Sequence, residues 1–185
     1  VLTSDTVLFP TQIDNELMAH LPPNIEIVRI PSAPSFIGKM RNRLPKPIVT
    51  DYPEVDLRWL GKRMIPVGIE LAKSGKYRAI VSWASPHLGN VVGLNIKQVC
   101  RIPWIAHMSD PWLDNTYMKP SPAQLARWQV AERMIYENVD AMTVTTARTK
   151  NLIMRKYPQA WREKVHVIPH GYDARYKPQT APPKN

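Results

Sequence analysis

The sequence predicts an α/β protein built on a parallel sheet, and two patterns carry that prediction. Short β-branched runs alternate along the chain with segments of three-and-four apolar spacing, the order that parallel strands joined by crossover helices require. Most of those runs are apolar along their whole length, as expected of strands covered by helices on both faces. The composition agrees: 185 residues suit one domain, or one and a fragment, and 44% hydrophobic with 22% charged residues is globular rather than disordered.

In chain order the strand candidates are a weak one at Val1–Thr3, then Ile25–Ile30, Tyr77–Trp83, Trp104–Met108 behind Pro103, Ala141–Thr146 and Val165–Ile168. Residues 31–53 interrupt the alternation. Their five prolines (Pro31, Pro34, Pro45, Pro47, Pro53) and the cations Lys39, Arg41, Arg43 and Lys46 read as a long irregular connection or a loop holding a short helix. A helix over Leu88–Val99 buries Leu88, Val91, Val92, Ile96 and Val99, and one over Ala123–Asn138 buries Leu125, Trp128, Ala131, Met134 and Ile135. A third begins with Thr146 as its N-cap and buries Leu152, Ile153 and Tyr157. It places Arg155 and Lys156 by its C-terminal dipole and stops at Pro158. The stretch from Lys177 to Asn185, with Pro178, Pro182 and Pro183, is linker-like, and no internal repeat is present.

Composition removes several function classes. With 19 prolines and only 7 glycines the chain contains neither GxGxxG nor GxxxxGK[ST], so no dinucleotide fingerprint or Walker loop is claimed. Cys100 is the only cysteine, which excludes an intramolecular disulfide and a thiolate zinc cluster and makes a reducing compartment the simpler reading. The longest uncharged stretch, 79–96, holds Ser82, Ser85, Pro86, His87, Gly89, Asn90 and Asn95, too polar for a membrane helix. Residue 1 is Val, with no basic-then-apolar leader, and reads as a start inside a longer chain. The formal charge of +10 is scattered over Lys39–Lys46, Arg58–Arg63, Lys73–Arg78 and Arg148–Lys156. A solvated basic surface, nucleic-acid binding with Trp and Tyr stacking, and attraction to an anionic membrane or a phosphate-bearing substrate all remain open.

Chemistry-bearing side chains gather behind two strands. At the C-terminal edge of an open parallel sheet the loops converge and helix N-termini present unpaired N–H groups, so ligands bind there. SWASPHLGN (82–90) brings Ser85, His87 and Asn90 to a helix start, suited to a phosphate or a sugar hydroxyl; alternatively Ser85 simply caps the helix. AHMSDPWLDN (106–115) brings Asp110, held extended by Pro111, and Trp112, a flat face for a sugar. In the competing reading Asp110 pairs locally and Trp112 is core. His20, His87, His107, His166 and His170 form no HExxH pair, and no GxSxG elbow exposes a serine, so neither a histidine metal site nor a hydrolase triad is supported.

These segments resemble the amino-terminal domain of retaining, family-4-type glycosyltransferases, which have the two-Rossmann-domain GT-B fold. The likeness is carried by YRAIVSWASPHLGNVVGLNIKQV (77–99), IPWIAHMSDPWLDN (102–115), ERMIYENVDAMTVTTARTKNLIMRKYP (132–158) and VHVIPHGYD (165–173), in family order and spacing over about two-fifths of the chain. The resemblance implies half of a GT-B fold, Rossmann-like with helices on both faces of the sheet. Residues 1–176 would form the acceptor-side domain and 177–185 an interdomain linker remnant; the first strand and its glycine loop, and the donor-binding second domain, would be missing. VHVIPHGYD stands where the family has its crossover segment VIPNGFD.

The implied reaction moves a sugar from a nucleotide-sugar donor to a sugar or lipid-linked hydroxyl acceptor with retention, in cell-surface polysaccharide synthesis, and this chain alone would be inactive. The resemblance assigns Asp110 the catalytic place, Ser85, His87, Asn90, His107, Ser109 and Trp112 the acceptor side, and Thr146, His170 and Gly171 the donor side. It implies no metal and no cofactor beyond the donor, because helix N-termini and basic side chains meet the phosphate charge. It further implies a cytoplasmic setting, with peripheral contact at the inner membrane face. Three departures bear on this: Ser109 replaces a common Arg, His107 and Met108 replace an Asp-Phe pair, and His170 replaces Asn. A stand-alone basic module for nucleic acid or anionic lipid, and a GT-B sugar-nucleotide epimerase, are the competing functions.

Overall fold

The computed structural model describes residues 1–4, 20–31, 53–84 and 87–171. Ser85, nearly all of the proline-rich 31–53 stretch and the 177–185 linker lie outside them.

The chain opens on a parallel pair, β1 (Leu2–Ser4) and β2 (Val28–Ile30), in the register Leu2↔Val28 to Ser4↔Ile30. Helix α1 (Pro53–Lys73) follows and carries Pro66 inside it. Then come β3 (Ile80–Ala84), α2 (Leu88–Cys100), β4 (Trp104–Met108), α3 (Pro122–Asn138), β5 (Ala141–Val144), α4 (Ala147–Met154), α5 (Gln159–Glu163) and β6 (Val165–Val167). Strands β3 to β6 form one wholly parallel sheet in sequential order, each joined to the next through helix. Every strand read from the sequence is present, Trp104–Met108 with the same bounds and the others trimmed or shifted by one to three residues. The long α1 and the single-turn α5 were not foreseen: Pro53 and Pro66 broke the helical pattern of α1 for a sequence reader, yet Pro53 occupies its first position, where no N–H is needed.

Local chemistry sets the helix starts. Ser121 and Gln124 form a reciprocal capping box ahead of α3, with Pro122 at its first position. Thr146 caps α4 as its sequence position predicts, its Oγ1 accepting the Thr149 N–H at 3.0 Å. That helix ends at Met154, so Tyr157 packs from beyond its end rather than from within it.

The core lies on one face of the larger sheet. Ala84, Trp104, Ala106, Met108, Met142, Val144 and Val165 pack against Leu94 of α2, Trp128, Ile135 and Tyr136 of α3, and Ile153 and Met154 of α4. Helix α2 lies close on the sheet at Gly93, where a Cβ would stand 2.6 Å from the indole nitrogen of Trp104. On the opposite face Val81 and Trp83 are more than half exposed and Ile105 is exposed. Among the described residues β3 and β5 therefore alternate in burial, β4 adds a buried His107 on the second face, and the core helices pack on the first. In α3 the expected stripe shifts as well: Leu125 and Met134 are exposed, and Glu132 is wholly buried. Val99, expected inside, is also exposed.

Among the described residues β1 pairs only with β2, and β3 only with β4. Between the two sheets lies a cavity of about 500 Å³ lined by Leu2, Thr3, Ile80, Val81, Trp83 and Val92, among others. Glu26 ties the two sides, accepting hydrogen bonds from Lys76 Nζ at 2.6 Å and Tyr77 Oη at 2.8 Å.

Candidate functional site

The strands of the larger sheet end flush, because Ala84, Met108, Val144 and Val167 fall in one register. The segments that follow β4, β5 and β6 therefore leave one edge side by side, carrying Ser109 to Trp112, Thr145 to Thr146, and His170 with Gly171. Just inside that edge a second row crosses the sheet on the uncovered face: Trp83, His107, Thr143 and His166 are successive partners on neighbouring strands.

His107 is the centre of that row. Its Nδ1 lies 2.8 Å from Thr143 Oγ1 and its Nε2 3.0 Å from Ser109 Oγ, while the Trp83 ring sits 5.1 Å away. The ring of His170 approaches edge-on at 6.0 Å, so β4 and the segment after β6 converge here. Burial, helped by repulsion from His170, holds His107 below the usual imidazole range, which favours a neutral ring that spans two hydroxyls. Ser109 is also held through its backbone, whose carbonyl accepts from Thr145 Oγ1 at 3.1 Å.

Asp110 follows, exposed, and its carboxylate makes no hydrogen bond or ion pair among the described residues. The local pairing considered for it is thus not formed. A free carboxylate at a converging sheet edge is available to a substrate hydroxyl.

The structure puts three other expected ligand residues behind this edge rather than on it. Trp112 is buried in the core, tilted against Trp128 at 5.9 Å and stacked face to face on His87 at 4.5 Å, so an imidazole covers the face the sequence offered to a sugar. His87 takes the N-cap position of α2 without a side-chain cap and is buried, its Nδ1 without a hydrogen-bond partner among the described residues. Burial lowers its pKa to about 4, so at neutral pH it offers no positive charge to a phosphate. Asn90 is completely buried and its amide is engaged at both ends: Oδ1 accepts from Ser82 Oγ at 2.7 Å and Nδ2 donates to the His107 carbonyl at 3.2 Å. Ser82 in turn accepts from Trp104 Nε1 at 2.8 Å. Asn90 thus fixes the backbone beneath His107.

Of the donor-side residues, Thr146 spends its hydroxyl on the α4 cap, His170 is exposed beside His107, and a Cβ at Gly171 would meet nothing within 4 Å among the described residues. The sequence reading missed Thr143 and Glu132. Glu132 had a visible signal, an acid one turn after Trp128 and between Ala131 and Ile135 on an apolar stripe. Its Oε2 accepts the Leu113 N–H at 3.0 Å, three residues beyond Asp110.

A sequential parallel sheet with helical crossovers, whose strand ends gather polar side chains, defines a Rossmann-like α/β domain with its ligand edge at the strand C-termini. The chain belongs to glycosyltransferase family 4, whose sequence profile matches residues 15–176. Among solved structures it is similar to Anabaena HepE, crystallised in complex with UDP and glucose, at a TM-score of 0.51 and 16% identity. That likeness covers 93% of this chain and 44% of the other, so the chain spans less than half the length of HepE. No curated protein matches it. Among the described residues no helix is long and apolar enough to cross a membrane.

Proposed function

We propose that this chain is the acceptor-binding half of a retaining glycosyltransferase that moves a sugar from a nucleotide-sugar donor to a hydroxyl acceptor in cell-surface polysaccharide synthesis. The observation that carries the reading is the free carboxylate of Asp110 at the sheet edge, beside the His107–Ser109–Thr143 cluster. Asp110 orients the acceptor hydroxyl or the charge developing at the anomeric centre. Ser109 and His107 shape the acceptor pocket next to it, and His170 with Gly171 faces the donor. His87, Asn90 and Trp112 act one layer further in, as the wall that holds this edge.

Family membership supports a glycosyltransferase, and the UDP and glucose bound to HepE support a nucleotide sugar as donor. The donor's diphosphate would be met by a second Rossmann domain and by helix N-termini rather than by a metal ion. The net charge of +10 fits an acceptor carried at an anionic lipid surface on the cytoplasmic side.

The test is the product. The full-length protein, given nucleotide sugars and a lipid-linked acceptor, should form a glycoside whose anomeric configuration by NMR equals that of the donor. Inverted product removes the retaining mechanism, and epimerised donor in the absence of acceptor removes transfer altogether.

A further inference from the structure

We propose that Glu132 is a positioning residue for the Asp110 loop, its buried carboxylate serving as the strut that fixes Leu113 and, through it, the segment presenting Asp110. The proposal rests on the role given to Asp110 above, and its test separates the two.

Glu132 is completely buried on α3, on the same stripe as Trp128, Ile135 and Tyr136. A carboxylate is unfavourable there unless it is paired and hydrogen-bonded, and an apolar residue of similar volume would serve mere packing as well. What the carboxylate adds is acceptor capacity toward donors from two separate segments. Oε1 accepts from Tyr157 Oη at 2.7 Å and faces Lys156 Nζ at 2.9 Å; Oε2 accepts the Leu113 N–H at 3.0 Å. Proximity to Glu132 and burial both keep the Tyr157 phenol protonated, burial being the larger influence, so it remains a donor.

The neighbours of Leu113 are pinned by the same elements. Lys156 also pairs with Asp114 at 2.6 Å, so one ammonium bridges Asp114 and Glu132, and Arg155 holds the other Asp114 oxygen at 3.0 Å. Trp112 packs against Trp128, one turn before Glu132 on α3. Three consecutive residues, Trp112, Leu113 and Asp114, are therefore anchored to α3 and the end of α4, while Asp110 just upstream is free. A rigid base with an unpaired carboxylate ahead of it keeps that carboxylate in place without occupying it.

Amide hydrogen exchange of Glu132→Gln and Tyr157→Phe tests the strut. In Glu132→Gln an amide group faces Lys156 and Tyr157 where the carboxylate accepted. Exchange at Trp112 to Asp114 should rise at least tenfold while β4 and β5 keep their wild-type protection. Tyr157→Phe removes one donor and leaves the Leu113 bond, so it should show the same local pattern at smaller amplitude even if Glu132→Gln folds poorly. Unchanged exchange in the loop, or a rise shared equally by β4 and β5 in both variants, overturns the proposal. In the full-length protein with UDP-glucose as the probe donor, a lowered kcat at unchanged KM is expected. A loosened loop with unimpaired transfer keeps the strut and removes Asp110 from the reaction.

Discussion

The imidazole of His87 and the indole of Trp112 lie face to face, centroids 4.5 Å apart and planes within 4° of parallel. The pair joins the N-terminus of α2 to the loop after β4 inside the core, where each ring also has a buried nitrogen without a partner among the described residues. Two residues that the sequence offered to a ligand thus stabilise each other behind it.

That stack makes stability depend on pH in a defined direction. Burial depresses the folded-state pKa of His87 to about 4, from 6.5 when unperturbed. Above pH 6.5 both states hold a neutral ring and its contribution is complete. As pH falls toward 4 the unfolded chain gains a proton the folded chain refuses, so stability drops, by up to roughly 3 kcal/mol once both values are passed. The melting temperature should fall between pH 7 and pH 4.5, and His87→Phe, which keeps a stacked ring, should flatten that fall. Identical slopes in the two chains would rule the account out.

Asn90 should behave as a structural residue. Its side chain completes a buried relay from Trp104 Nε1 through Ser82 Oγ to Asn90 Oδ1, and its Nδ2 satisfies the carbonyl of His107. Asn90→Ala takes the acceptor from the Ser82 O–H and a donor from the His107 carbonyl in the core, at a cost of about 1–3 kcal/mol for each group stranded. Urea unfolding should show a loss of about 2–4 kcal/mol. A loss below 0.5 kcal/mol would mean that the relay holds nothing.

The contrast between Asn90 and Asp110 shows how much of this molecule was legible in the sequence. Strands and crossover helices announce themselves through local pattern, and Thr146 and Pro158 marked where a helix begins and stops. The long α1 was hidden because seven of its 21 residues are charged and Pro66 stands inside it, which blurs the apolar periodicity of a helix. The converging edge was legible from the order of elements alone. Which polar residue on that edge faces outward was not: His87, Asn90 and Trp112 share a composition with ligand contacts, and only the approach of α3 and the Trp112 loop decides that they face inward. Burial of Glu132 depends likewise on Lys156, Tyr157 and Leu113, which lie far from it in sequence.

Asp110 should show the opposite behaviour to Asn90. With no partner among the described residues its carboxylate contributes little to folding, so Asp110→Asn should leave the unfolding free energy of the chain within about 0.5 kcal/mol. In the full-length protein the same substitution should lower kcat for sugar transfer at least tenfold, about 1.4 kcal/mol of transition-state stabilisation. Unchanged turnover would take Asp110 out of the mechanism, and a large loss of stability would restore the local pairing that the structure does not show.

The placement of His87 and the Asp110 loop depends finally on how closely α2 lies against β3, and two glycines test that. A Cβ at Gly89 would stand 2.1 Å from the backbone carbonyl oxygen of Trp83, whereas a Cβ at Gly171 would meet nothing within 4 Å among the described residues. Overpacking that only a side chain must relieve costs about 1–3 kcal/mol, and a clash with backbone exceeds the upper part of that range. Gly89→Ala should therefore lose at least about 3 kcal/mol and expose the His87–Trp112 stack, seen as a red shift of tryptophan fluorescence. Gly171→Ala should be neutral or gain a few tenths of a kcal/mol through the stiffer unfolded chain. Equal effects at the two sites would mean that the close approach of α2 to β3 is not what seats the stack.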